Sequence, residues 1–180
     1  LSVVRPIYPS LKDFSLFCQE IQVNMAKIDD LLEKYGESHQ NGTNKSIHWV
    51  CVPLIMFSLL GLLYSIPFPG GRSLPGNWAA VFVAVTLLYY LRLSLPMFLG
   101  FLPIVVLMLW GNHQLAQSLG SIQNMVFASL GIFFVAWVGQ FIGHKIEGKK
   151  PSFLEDLQFL LIGPAWLLHF IFKRLGVRYS

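Results

Sequence analysis

The 180-residue chain is 54% hydrophobic and only 12% charged, with a net charge of +4, whereas a soluble domain carries about 25% charged residues. This excludes an ordinary soluble enzyme and indicates a polytopic membrane protein, long enough for one compact bundle and too short for a second sizeable domain. No Lys or Arg run interleaves with aromatics, so the basic excess points away from nucleic acid and toward topology and anionic lipid. The two cysteines, Cys18 and Cys51, form no CxxC or zinc-ribbon spacing, so no disulfide framework is expected. Nothing near the start pairs a charged segment with an apolar one in the manner of a cleaved signal peptide.

In chain order, Ser10 and Asp13 make a capping-box-like start, and Phe14, Phe17, Ile21, Met25, Ile28, Leu32 and Tyr35 recur every three or four residues. That spacing predicts an amphipathic helix, lying on the membrane or, by preference, packed as a cover over one end of the bundle. Residues 47–66 carry no formal charge and match the length of a membrane span. The Pro- and Gly-dense stretch 67–77 is a loop. Two further apolar segments follow at 78–91 and 93–110, joined by a tight hairpin around Arg92 to Pro96. Residues 111–121 are expected to be a polar loop with His113 in solvent, and 122–142 is the fourth span. The last apolar stretch, 157–172, is interrupted by Gly163 and Pro164, so it is expected to be a re-entrant or interfacial pair of short helices.

The expected fold is therefore an all-α polytopic membrane bundle of four transmembrane helices. Residues 1–46 would form a cytoplasmic helix and turn, 47–142 the spans, and 143–180 a cytoplasmic loop and interfacial segment. Four spans place the N-terminal region, Arg92, Lys145, Lys149 and Lys150 on one side against Arg72 on the other, which puts both ends in the cytoplasm.

Two stretches carry candidate chemistry. His39 and His48 stand nine residues apart, two and a half helical turns at about 100° per residue, so they converge only if the helix breaks between them. Asn41 and Gly42 suit such a break through the left-handed conformation, with Thr43 or Asn44 capping the next helix. His48 would then sit one turn into it. Gln140, His144 and Glu147 share one face if the fourth span continues as helix. The topology gathers His39, His48 and His144 at one membrane face, where ionisable groups are costly and tend to mark function. A metal explains the grouping economically, each ring giving one nitrogen as ligand while the other bonds nearby groups. Asn41, Asn44, Gln140 and Glu147 are available to the metal or to its ligands. Iron, zinc and copper all suit imidazole. No HExxH, Gly-x-Ser-x-Gly or phosphate-cradling loop is present.

The blocks YGESHQNGTNKSIHWVCVPLI and GQFIGHKIEGKKPSFLEDLQFLLIGP together resemble the membrane 2-hydroxy fatty acid dioxygenases related to the fungal endoplasmic-reticulum enzyme of phytosphingosine breakdown. The resemblance implies iron(II)-dependent α-oxidation with molecular oxygen, shortening a 2-hydroxy acyl chain by one carbon. It implies that His39, His48 and His144 are the functional, metal-binding histidines; His169 and Glu147, which the resemblance does not mark, are candidates for a further ligand only by their expected place near the same membrane face. It further implies a bacterial inner membrane or endoplasmic-reticulum location and a 2-hydroxy lipid as substrate, for whose carboxylate Lys145, Lys149 or Lys150 are candidate guides. The family's turn carries proline where this chain has Gly42, which is expected to loosen it. A zinc-dependent lipid hydrolase and a non-catalytic membrane scaffold are the competing readings.

Overall fold

An asparagine, rather than a left-handed break, begins the bundle. Asn41 is extended, with φ −68° and ψ 130°, and its side chain accepts from the backbone N–H groups of Thr43 and Asn44. Gly42 is already helical and has no positive φ. The expected cap at Thr43 or Asn44 is thus corrected to Asn41, because a capping carboxamide satisfies the first free N–H groups without any left-handed residue. His48 consequently lies almost two turns into the helix.

Residues 28–150 and 159–179 are described by the computed structural model. The Ser10 start, Cys18 and the apolar positions from Phe14 to Met25 fall outside them. The described residues form six helices and no strand: α1 at residues 28–37, α2 Gly42–Ser65, α3 Trp78–Leu93, α4 Leu95–Leu119, α5 Ile122–Glu147 and α6 Phe159–Leu175. By length and composition, α2, α4 and α5 can each cross a membrane, while α3 is an apolar helix of 16 residues.

Packing fixes the directions of these helices. Leu60 and Tyr64 of α2 meet Ala79 and Val83 of α3 and Val105 of α4 in one cluster. At the other end Tyr90 and Leu93 join Met97 and Phe101 of α4 and Ile162 to Leu168 of α6. Successive helices from α2 to α5 therefore run antiparallel. Ser94 alone makes the hairpin, ending α3 and capping α4 by accepting from Met97 N–H. α5 begins directly after Ser121, whose side chain accepts from Asn124 N–H.

Two expectations change here. Residues 111–119 are helix, and α4 ends only at Gly120, which is left-handed with φ 67°. His113 is half-buried, its Nδ1 2.9 Å from the Tyr64 hydroxyl, and the preceding Asn112 is fully buried, donating to the carbonyls of Phe57 and Met108. Neighbouring helices thus absorb the polar groups that had suggested a loop. The C-terminal stretch is one helix, not a broken pair, although Pro164 lies inside it. A proline is tolerated in a membrane helix when neighbours supply backbone partners. Here the Tyr90 hydroxyl donates at 2.5 Å to Leu161 O, the carbonyl next to the one that Pro164 leaves without its helical donor, and the absent side chain of Gly163 lets Tyr35 pack against that turn.

The described end of the expected cover, residues 28–37, packs as anticipated. Ile28, Leu31, Leu32 and Tyr35 are buried against Ile162, Ala165 and Trp166, so α1 and α6 together close the end of the bundle where α2 begins and α5 ends. The tightest seam joins α2 and α5. Gly139 and Gly143, a small-xxx-small pair on α5, lie against Cys51 and Asn44, and Gly61 of α2 lies against Ser129 and Met125. Small residues at such a seam let backbones approach closely, which drives association where lipid offers no hydrophobic incentive.

Candidate metal centre

Three elements deliver the histidines. His39 follows the last turn of α1, where its N–H donates to Gly36 O at 3.0 Å; His48 projects from α2 and His144 from α5. Their rings are buried, at 0%, 1% and 5% exposure. Ring centroids are 4.3 Å apart for His39 and His48, and 5.0 Å from each of these to His144. Each ring offers one nitrogen such that all three atoms lie within 4.8 Å of one another, a spacing that could hold a metal ion.

The tautomers follow from the partners. His39 Nδ1 is 2.6 Å from Tyr35 O and His48 Nδ1 is 2.9 Å from Asn44 O. A carbonyl only accepts, so both Nδ1 atoms carry the hydrogen and both Nε2 atoms present lone pairs. Those two Nε2 atoms are 2.9 Å apart. Two lone pairs at that distance repel unless a cation or proton lies between them. A proton is disfavoured, since burial first, and then the neighbouring His48, push the His39 pKa down to about 3. His144 Nδ1 is buried with no hydrogen-bond partner. Three inward imidazoles and an unsatisfied nitrogen fit a divalent transition metal.

The residues predicted to support the histidines take distinct places. Glu147 faces the turn: its carboxylate accepts from the backbone N–H groups of Gln40 and Asn41, each at 2.8 Å, and from Asn44 Nδ2 at 3.1 Å. It fastens the His39 turn to the helix that carries His144. Asn44 Nδ2 also donates to Ser38 O at 3.3 Å, tying α2 to the turn, and Lys149 Nζ donates to Glu37 O at 2.8 Å, a further tie between the turn and the end of α5. Neither Glu147 nor His169 belongs to the histidine cluster; His169 Nδ1 pairs with the Tyr179 hydroxyl instead. Asn41 caps α2, and Gln140 is buried on the cluster's side of α5.

Sequence reasoning passed over two aromatic walls. Tyr35 stacks on His39 with centroids 4.1 Å apart and planes 12° from parallel, and Trp166 lies 5.1 Å from the same ring. The four-residue step from Tyr35 to His39 was available as a helical signal. Trp166 gave none, because it sits in an apolar run and reaches the site only through the docking of α6. Beside the histidines an apolar cleft opens, bounded by Val52 and Ile55 of α2, Tyr90 of α3, Trp137 of α5 and Leu160 of α6.

Residues 25–175 match the model of a family described as 2-hydroxy-palmitic acid dioxygenase Mpo1-like. The chain is also 31% identical over 143 residues to the 2-hydroxy-palmitic acid dioxygenase MPO1 of Saccharomyces cerevisiae, covering 77% of this chain and 76% of the yeast protein. No solved structure matches.

Proposed function

The chain belongs to the Mpo1-like family, and on that premise we propose that it is an iron(II)-dependent dioxygenase that removes the carboxyl carbon of a 2-hydroxy long-chain fatty acid using molecular oxygen. The observation that carries this reading is the pair of His39 and His48 Nε2 atoms facing each other at 2.9 Å, buried at the head of an apolar cleft. His39, His48 and His144 would hold the metal, and the carbonyls of Tyr35 and Asn44 keep the first two rings in the tautomer that binds it. When bound, ferrous iron supplies a site for oxygen and for a 2-hydroxy acid. Tyr35 and Trp166 exclude water from the His39 side. Arg92, Lys145, Lys149 and Lys150 collect at the histidine end and Arg72 at the other, so we place that end in the cytoplasm, with α3 completing four passes.

Metal content of anaerobically purified protein, followed by oxygen uptake with 2-hydroxyhexadecanoic acid, tests the reading. Near-stoichiometric iron and a product one carbon shorter are expected. Zinc with oxygen-independent lipid hydrolysis would replace it with the hydrolase.

Glu147→Gln is expected to weaken metal binding about 10–100-fold, the range seen when groups supporting metal ligands are removed. The new NH₂ would face backbone N–H groups that need an acceptor, so the His39 turn would loosen while the bundle stays folded. A metal titration of both proteins checks this, and equal affinities would detach Glu147 from the site.

A further inference from the structure

The cleft beside the histidines has a polar head and an apolar body. His48, His144 and Gln140 line its head, while Leu59, Leu60, Phe82, Val83 and Val105 line its far end. Leu60 lies twelve residues beyond His48 on α2, about 18 Å at 1.5 Å per residue. Gln140 is 4% exposed, and its side-chain nitrogen is buried with no hydrogen-bond partner. A buried donor left unpaired is destabilising, and Gln140 stands one helical turn before His144 on the same face of α5. Its amide is thus a spare donor where an acidic head group would meet the histidines. Phe82 both lines the cleft and is exposed on α3, so the cleft reaches the lipid-facing surface at that side chain.

We propose that this cleft seats one unbranched acyl chain, its carboxylate accepting a hydrogen bond from Gln140 Nε2 and its tail running along α2 to the Leu59, Leu60 and Val83 end, which limits chain length. The assignment of the head group rests on the function proposed above. The tail site rests on the lining alone. A long chain fits because the wall, apolar but for Thr86, continues for several helical turns from its polar head, and a carboxylate fits because it supplies the acceptor that the buried amide lacks.

The test uses metal-free full-length protein in nanodiscs and 2-hydroxyhexadecanoic acids bearing a photoreactive diazirine either at the terminal carbon or near the carboxyl end. After irradiation, mass spectrometry should map the terminal label to Leu59, Leu60, Phe82 or Val83 and the proximal label to the turn containing Gln140. Gln140→Leu should weaken labelling roughly tenfold, the loss of one charge-assisted hydrogen bond. Leu59→Trp should shift the preferred acid to shorter chains. Labels on outward residues such as Val106, Leu107 and Phe134 alone, or labelling indifferent to Gln140→Leu, would overturn the proposal. Labelling of the cleft without turnover after iron loading would retire the dioxygenase reading and leave the chain site standing. Turnover with outward labels only would do the reverse.

Discussion

Replacing His48 with alanine is expected to remove both the metal and the turnover, with activity falling at least roughly 100-fold, beyond the range for supporting groups alone. The reason is the direct opposition of His39 and His48 Nε2 at 2.9 Å. With one ring gone, His39 and His144 are left as two imidazoles on separate elements, and no third nitrogen completes the set. The variant should differ from wild type in a second respect. Metal that binds only the folded state stabilises it by about 4 kcal/mol at a thousandfold excess over Kd, so iron should raise the wild-type melting temperature and leave that of His48→Ala unchanged. Melting curves in detergent with and without iron, beside metal analysis, check both parts. A variant that keeps stoichiometric iron and full turnover would remove His48 from the site.

Gly143→Leu is the second large effect. A side chain at Gly143 would press on the Asn44 side chain and, at 3.5 Å, on Ile47 Cγ2. Asn44 cannot retreat without abandoning Glu147 and Ser38. Overpacking of this kind costs about 1–3 kcal/mol and sometimes more, and here it also parts the helices that carry His48 and His144. Loss of metal binding should therefore accompany a lower melting temperature. Gly131→Ala on the same helix is the control: nothing lies within 4 Å of a Cβ there, and replacing a mid-helix glycine gains about 0.5–1 kcal/mol. Equal behaviour of the two variants would show that the α2–α5 seam does not govern the site.

The helical class, the gathering of three distant histidines and the shared face of Gln140, His144 and Glu147 were legible because they follow from periodicity, uncharged length and turn chemistry. What was not legible required neighbours. The polarity of Asn112 and His113 reads as loop until Phe57 and Tyr64 are placed beside them. Gly163 and Pro164 read as a break until Tyr35 and Tyr90 supply packing and a donor. Glu147 was a candidate for the metal or its ligands, and only the fold shows its carboxylate turned to the N–H groups of Gln40 and Asn41. The seam glycines did carry a signal, the four-residue spacing of Gly139 and Gly143.

The seam also has a bearing on biosynthesis. His39 and His48 leave the ribosome near the beginning of the spanning region and His144 at its end, and they meet only where α5 lies against α2. A nascent chain with its first helix already in the bilayer has two imidazoles and no third. On the proposed function, metal acquisition therefore follows assembly of the bundle and cannot direct it, unlike small domains that fold around their ion. Iron starvation should leave a fully inserted protein awaiting its metal, not a chain stalled partway through the membrane.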